Sequence, residues 1–228
     1  MIASSLAALR DTIAETCRRV GREPGSVRLV AVSKTRPVGD VLVAARAGQL
    51  LFGENRVQEA RDKIPGVDHP GLSWHLIGPL QRNKVKIAVQ LFQMIQSVDS
   101  IELARELDRR MPVGRTMPIL LQVNVGGEAQ KSGLAPGDLE KTLIQIASLP
   151  RLSVKGLMTV PPFAEDPERV RPEFRKLACL ARDMAAHAIP GVSMEILSMG
   201  MSHDFIVAIE EGATMVRIGG SLFGTRNG

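Results

Sequence analysis

Short apolar runs alternate with longer amphipathic segments along most of the chain. Eight of the runs are typical of strands, at residues 28–33, 50–53, 74–78, 92–98, 118–125, 154–160, 194–198 and 215–218. Buried parallel strands read as continuous apolar runs, and helices usually connect them. The pattern therefore predicts one α/β domain over residues 1–228, in which eight strand–helix units close into a (β/α)8 barrel. An open, doubly wound sheet is the alternative.

The segments between the runs carry helix signals. An extra helix is expected before the first strand, because four apolar residues recur on one helical face: Leu6, Leu9, Ile13 and Cys17. Asp99, Ser100 and Glu102 resemble a capping box at the start of a helix. Asp138 and Asp166 each precede an apolar pattern of helical period, which predicts two further helix starts.

Composition and charge narrow the possible partners. The net charge is +5, with acidic and basic residues mixed over the whole chain, which suits small anionic ligands better than nucleic acid. Aromatic residues make up 3% and tyrosine is absent, so the platforms on which single strands stack are lacking. No window approaches the roughly 20 apolar residues of a membrane span, and the N-terminal segment is unlike a signal peptide. We therefore expect a cytoplasmic protein that binds neither nucleic acid nor membranes.

Cysteine and histidine spacings indicate no disulfide and no metal site. Cys17 and Cys179 lie far apart within apolar helical patterns, and we expect both thiols to be buried and reduced. The four histidines lack the spacing of zinc ligands. The candidate chemistry therefore has to come from other side chains.

Lys34 directly follows the first predicted strand, in the stretch RLVAVSKTRP. Lysine is rarely buried, so a lysine at this place must reach solvent, find a partner or take part in chemistry. In a barrel, chemistry lies at the carboxyl ends of the strands. Other polar residues lie at predicted strand ends or within the strands, namely Ser33, Thr35, Glu54, Asn55, His75, Asn124, Ser198 and Arg217.

Two segments late in the chain combine strand ends with small residues. SMGMSHDF (198–205) leads from the seventh predicted strand to a helix start, and VRIGGSLFG (216–224) ends the eighth strand on two glycines. Backbone N–H groups after strands seven and eight of such barrels often bind phosphate. Together with Lys34 on strand one, this arrangement indicates a Schiff base with a phosphorylated aldehyde, for which pyridoxal 5′-phosphate (PLP) is the obvious candidate.

Seven segments together resemble one family. They are VAVSKTRP, FGENRVQEA, WHLIGPLQRNKVK, LQVNVGGEAQKSG, GLMTVPP, LSMGMSHDF and VRIGGSLFG, and they cover nearly the whole chain in order. In these segments the chain is similar to the pyridoxal phosphate homeostasis proteins, the YggS/PROSC group. The resemblance implies a barrel of PLP fold type III, similar to the N-terminal domain of alanine racemase, that holds PLP as an internal aldimine.

The resemblance also implies which residues bind the cofactor. Lys34 matches the family's Schiff-base lysine, and Arg217 matches its contact to the pyridine nitrogen. The remaining matches are the phosphate-binding Ser198, Ser202, Gly219 and Gly220, and the pocket-lining Asn55 and His75. The family commonly has threonine where this chain has Gly220, so one hydroxyl contact to the phosphate is missing, at a cost on the order of 1 kcal/mol.

These residues favour holding PLP over catalysis with it. A protonated Arg217 beside the pyridine nitrogen weakens the ring as an electron sink. In alanine racemase a tyrosine from a further domain of the partner subunit is the second base, and this chain contains no tyrosine. We therefore expect a monomeric PLP carrier that serves apo PLP-dependent enzymes without robust turnover. The alternative is a low-activity, racemase-like enzyme with Lys34 as its sole base.

Overall fold

Eight parallel strands close into one barrel in chain order in the computed structural model, which describes residues 1–128 and 130–224. The strands are β1 (Arg28–Val32), β2 (Leu51–Glu54), β3 (Ser73–Leu76), β4 (Met94–Val98), β5 (Met117–Gln122), β6 (Leu152–Met158), β7 (Val192–Ser198) and β8 (Met215–Ile218). Closure is direct, because β8 pairs with β1 over the register Arg28↔Met215 to Ala31↔Ile218. The predicted (β/α)8 barrel is confirmed, and the open sheet is wrong.

Helices follow the strands and cover the outside of the barrel. They are α1 (Ile2–Arg19), α2 (Val38–Arg46), α3 (Val57–Lys63), α4 (Val85–Leu91), α5 (Ile101–Arg110), α6 (Leu139–Ala147), α7 (Arg171–Ala186), α8 (Phe205–Glu210) and the single turn α9 (Gly220–Phe223). The extra N-terminal helix is α1, which precedes β1 and packs against α2, α8 and α9. Within the described residues, no helix combines the length and apolar character needed to cross a bilayer.

The barrel interior has an apolar layer and, nearer the carboxyl ends of the strands, a polar layer. The apolar layer consists of Val30, Met94, Leu120, Met158, Ile196 and Met215. Side chains two residues apart on a strand point to the same face. Two residues beyond Met94, Ile196 and Met215, the interior therefore receives Gln96, Ser198 and Arg217, all of them buried. This polar layer lies beneath the mouth of the barrel.

Two local predictions are wrong, and a third includes residues that the structure does not describe. Ser100, and not Asp99, is the N-cap of α5, because its hydroxyl accepts the Leu103 amide at 3.3 Å; the predicted capping box is wrong. Cys17 is buried as expected, but Cys179 is exposed, since it lies on the solvent side of α7. The predicted domain, 1–228, extends over residues 129 and 225–228, which lie outside the described residues.

Candidate cofactor-binding site

A cavity of about 420 Å³ opens at the carboxyl ends of the strands. Its volume falls within the range of about 300–1,000 Å³ that small-molecule sites occupy. Six of the eight residues predicted for the site line this cavity: Lys34, Asn55, Ser202, Arg217, Gly219 and Gly220. Barrel closure brings them together, because β8 lies beside β1 although the two strands come from opposite ends of the chain.

Lys34 is half-buried on the wall of the cavity, directly after β1. A tight turn holds its backbone: Ser33 N–H donates to the Gly53 carbonyl at 3.1 Å, and Arg36 N–H donates to the Ser33 carbonyl at 3.0 Å. None of the hydrogen bonds and ion pairs within the described residues involves the Lys34 ammonium group. The amine at the cavity wall is therefore available for a bound molecule.

The loops after β7 and β8 present a second set of donors to the cavity. Among the described residues, the amides of Ser202, His203, Gly219 and Gly220 have no acceptor in the backbone or in a side chain. Ser202 contributes its hydroxyl, which also accepts the Ser221 amide at 3.4 Å. Free N–H groups beside a hydroxyl are suited to an anionic oxygen cluster such as a phosphate.

Arg217 forms the floor of the cavity and is buried in the polar layer. One terminal nitrogen, Nη1, donates to the Ser198 hydroxyl at 2.7 Å, and the other, Nη2, donates to the Thr159 carbonyl at 2.8 Å. A guanidinium has five N–H donors, so donors remain for a ligand. Burial lowers the Arg217 pKa to about 10, with Asp204 opposing the shift, and the side chain therefore stays protonated at neutral pH.

Ser198 and His75 are not among the residues that line the cavity, and their predicted contacts to the cofactor stay predictions. Ser198 donates to Gln96 Oε1 at 2.6 Å, and Gln96 Nε2 lies 2.9 Å from His75 Nδ1. Burial and the charge of Arg28 lower the His75 pKa to about 3, so the imidazole is neutral and Nδ1 accepts the bond. Both residues face the barrel interior below the mouth. They belong to a series of hydrogen bonds in which Arg217 donates to Ser198, Ser198 to Gln96 and Gln96 to His75, and this series fixes the Arg217 side chain.

The apolar part of the cavity comes from Val32, Ile77, Val160, Phe163, Ala164 and Met201. Phe163 is 79% exposed and packs against His203 in a tilted arrangement, with 5.4 Å between the ring centroids. His203 Nε2 lies 2.8 Å from the Glu165 carbonyl oxygen, so His203 ties the loop after β6 to the loop after β7. Phe163 and Val160 together form an apolar lip at one side of the opening.

His203 and Asp204 line the cavity but were not among the predicted site residues. Asp204 Oδ1 accepts the Met201 amide at 2.6 Å and shapes the loop after β7. Burial raises the Asp204 pKa, although the Met201 amide and the Arg217 charge oppose the shift. The sequence signal for both was the segment SMGMSHDF, in which Asp204 was assigned only to a helix start. Within the described residues, no group of three metal-ligating side chains occurs.

Fold and cavity together define the chain as a (β/α)8 barrel of the alanine racemase N-terminal domain class. The family model "Alanine racemase, N-terminal domain" matches residues 4–227. Solved alanine racemases share the fold; the enzyme from Corynebacterium glutamicum superposes with a TM-score of 0.70 at 20% identity, covering 95% of this chain and 62% of the enzyme. At that identity the likeness concerns the fold alone.

Much higher identities fix the family. The pyridoxal phosphate homeostasis protein of Aquifex aeolicus is 43% identical over 222 residues, covering 97% of this chain and 96% of the relative. That of Escherichia coli K12 is 40% identical over 235 residues, covering 99% and 97%. PipY of Synechococcus elongatus, solved with PLP bound, has a TM-score of 0.86 at 39% identity and covers 98% of this chain and 100% of PipY. The chain belongs to the pyridoxal phosphate homeostasis protein family.

Proposed function

We propose that this protein holds PLP reversibly, through a Schiff base between the Lys34 amine and the aldehyde of the cofactor. One observation carries the proposal: the cavity is lined by an amine and a group of backbone amides that have no partner among the described residues, and by a buried guanidinium with spare donors. An aldehyde, a pyridine nitrogen and a phosphate need these three kinds of group. The family's homeostasis role and the PLP-bound PipY structure support the same cofactor.

Each residue then has a definite task. Lys34 forms the covalent bond, and Ser202 with the amides of Gly219 and Gly220 binds the phosphate. Arg217 donates to the pyridine nitrogen. When bound, PLP supplies an electrophilic carbon and a ring that accepts electrons, but a protonated guanidinium at the ring nitrogen limits that second property. Asn55 borders the cavity at the end of β2, and Ser198 and His75 act only through Arg217.

The role of Lys34 as the residue that forms the Schiff base is tested with the purified protein and its Lys34→Ala variant. Borohydride reduction of the PLP-loaded protein, followed by peptide mapping, is expected to place the reduced adduct on the peptide that contains Lys34. Lys34→Ala is expected to lose the adduct. Lys84→Ala is the matched control, because Lys84 is half-buried in a neighbouring groove that Asn55 also lines. An undiminished adduct in Lys34→Ala contradicts the proposal.

We propose a carrier role without robust turnover for the protein that has this cavity. Lys34 is the proton-transferring amine, and a two-base racemase needs a second base on the opposite side of the substrate. The carrier is tested by mixing the PLP-loaded protein with an apo PLP-dependent enzyme and measuring the activity that the enzyme regains. Sedimentation of the loaded protein tests the accompanying expectation of a monomer. Failure of transfer over hours contradicts the carrier role.

A racemase-like activity is the second candidate, and one observation favours it. His203 and Asp204 line the cavity that Lys34 borders, so the site contains titratable groups other than Lys34. Incubation with amino-acid enantiomers in deuterated water distinguishes the two candidates. Sustained α-proton exchange with racemised product, reduced in His203→Gln or Asp204→Asn, supports the enzyme. Exchange at the rate of free PLP supports the carrier.

A further inference from the structure

A buried ion cluster lies beside the cavity and contacts the backbone on which Lys34 sits. Lys63, at the end of α3, is only 8% exposed. Its ammonium group donates three hydrogen bonds, to the Ser33 carbonyl at 2.7 Å, to Glu54 Oε1 at 2.8 Å and to Glu59 Oε1 at 2.7 Å. These bonds use all three donors of the ammonium. We call Glu54, Glu59 and Lys63 the Lys63 clamp.

The Lys63 clamp holds both neighbours of Lys34. On one side, the Ser33 hydroxyl donates to Glu54 Oε1 at 2.7 Å, in addition to the bond between Lys63 and the Ser33 carbonyl. On the other side, the Thr35 amide donates to Glu59 Oε1 at 2.5 Å. Lys34 itself takes no part, and its side chain points into the cavity between two fixed residues.

The backbone of Thr35, next to Lys34 in the turn, has a conformation that threonine disfavours. Its φ is +63°, in the left-handed region that a β-branched residue rarely adopts. Such a conformation costs on the order of 1–3 kcal/mol and persists only where the surroundings fix it. Two bonds hold it here: the bond from the Thr35 amide to Glu59, and the turn bond from the Arg36 amide to the Ser33 carbonyl.

A gain in stability is a poor explanation for the Lys63 clamp. Removing charges from water costs several kcal/mol per ion, and apolar residues of similar volume are often as stable or more so. Glu54 is fully buried, and its Oε2 has no hydrogen-bond partner among the described residues. Burial raises the Glu54 pKa, even though the bonds from Lys63 and Ser33 oppose the shift. A buried carboxylate with hydrogen bonds to only one of its two oxygens adds little stability. Its role is better explained by the positions in which it holds its neighbours.

We propose that Glu54, Glu59 and Lys63 are positioning residues, which aim the Lys34 amine at the aldehyde carbon of the bound cofactor. The inference rests on the proposed function, because it concerns the bond that Lys34 forms. In that step the amine nitrogen bonds to the aldehyde carbon, and the aldehyde oxygen leaves as water with the two amine protons. The clamp fixes the approach direction before this step, and misplacement by about 1 Å slows such reactions up to about 100-fold.

The test separates the reaction of Lys34 from the binding of phosphate and ring. The apo-protein is mixed with PLP, and the rate of Schiff-base formation is followed by absorbance. A second titration uses pyridoxine 5′-phosphate, which has the ring and the phosphate but no aldehyde. In Glu59→Gln and Lys63→Met, the rate is expected to fall about tenfold or more, while the affinity for pyridoxine 5′-phosphate stays within twofold of the original protein.

Two matched controls remove comparable groups elsewhere. Glu106→Gln removes a carboxylate of α5 that pairs with Arg109 and Arg110. Lys176→Met removes an ammonium of α7 that donates to the Val125 carbonyl at 3.0 Å. Both are expected to react with PLP at the original rate. Glu59 is about a quarter exposed, at 26%, so Glu59→Gln carries the test alone if Lys63→Met does not fold.

Peptide mapping after borohydride reduction distinguishes a failure of the proposed function from a failure of the positioning role. If the original protein carries no adduct on Lys34, the proposed function fails, whatever the variants do. If the adduct is on Lys34 and Glu59→Gln reacts at the original rate, the positioning role is overturned. Equal losses of rate and of pyridoxine 5′-phosphate affinity also overturn it, because they show a structural role only.

Discussion

Arg217 donates a hydrogen bond of 2.7 Å to the hydroxyl group of Ser198, and neither side chain is more than 3% exposed. The Ser198 hydroxyl in turn donates to Gln96, so one oxygen links the guanidinium to the rest of the polar layer. The orientation of Arg217 under the cavity therefore depends on a residue that lies outside the cavity.

Ser198→Ala is expected to lower the free energy of unfolding by about 1–3 kcal/mol, because it leaves a buried donor of Arg217 and a buried acceptor of Gln96 without partners. The affinity for PLP is expected to fall as well, since Arg217 loses its fixed orientation. Urea denaturation and PLP titration measure the two effects. Ser148→Ala, which removes an exposed hydroxyl bonded to the Gln145 carbonyl, is the control and should change neither quantity measurably.

Gly220→Thr is expected to strengthen PLP binding about fivefold, corresponding to about 1 kcal/mol for one added hydrogen bond to the phosphate. Space is available, because a Cβ at Gly220 would meet only the Ser202 hydroxyl, at 3.8 Å. Gly219→Thr is the contrasting variant, since a Cβ there would lie 3.1 Å from the Val32 carbonyl oxygen, and we expect it to weaken binding. If both variants bind PLP with unchanged affinity, the loop after β8 does not contact the phosphate.

Strand positions were predictable from the sequence because continuous apolar runs mark buried parallel strands. The eighth strand agrees at both ends, at Met215 and Ile218. The fifth was predicted too long, to residue 125 instead of Gln122. There the apolar character continues into a loop, which the Asn124 side chain closes through a 2.8 Å bond to the Glu128 carbonyl. A pattern of residue types does not distinguish such a loop from the end of a strand.

How deep a side chain lies within the barrel was harder to predict than which residues lie near its mouth. Lys34 and Gly219 follow strand ends and therefore reach the mouth, as predicted. His75 and Ser198 lie within β3 and β7, and their distance from the cavity depends on how far each strand extends along the barrel axis. The Lys63 clamp was also missed. The sequence places Glu54 at a strand end and Glu59 and Lys63 at helical spacing, but their contact through Lys63 depends on tertiary packing.

Phe163→Ala is expected to speed the release of PLP several-fold while leaving stability nearly unchanged. Phe163 is 79% exposed, so its truncation removes little buried surface and should change the free energy of unfolding by less than about 0.5 kcal/mol. Its ring, however, borders the cavity and packs at an angle against His203, and we expect it to cover part of the opening. Release is measured with an excess of hydroxylamine to capture free PLP. Val113→Ala, at an 87% exposed position after α5, is the control; equal release rates in both variants contradict a covering role.

His75 predicts how stability depends on pH. Because burial lowers its pKa from 6.5 to about 3, the folded protein keeps His75 neutral over a range in which the unfolded chain takes up a proton. The unfolded state binds more protons, so the free energy of unfolding falls as the pH falls from about 6.5 towards 3. At pH 5 the contribution is about 2 kcal/mol, from about 1.5 pH units at 1.36 kcal/mol each.

The His75→Gln variant isolates this contribution from the other groups that titrate in the same range. Urea denaturation at pH 7.5 and pH 5 is expected to show a loss of stability about 2 kcal/mol smaller in His75→Gln than in the original protein. His69→Gln is the matched control, because His69 is half-buried and, among the described residues, its one side-chain hydrogen bond is to the Pro70 carbonyl; the variant should keep the full loss. If His75→Gln loses as much stability as His69→Gln, then His75 takes up its proton in the folded state. A neutral His75 as the last acceptor in the series of hydrogen bonds from Arg217 is then wrong.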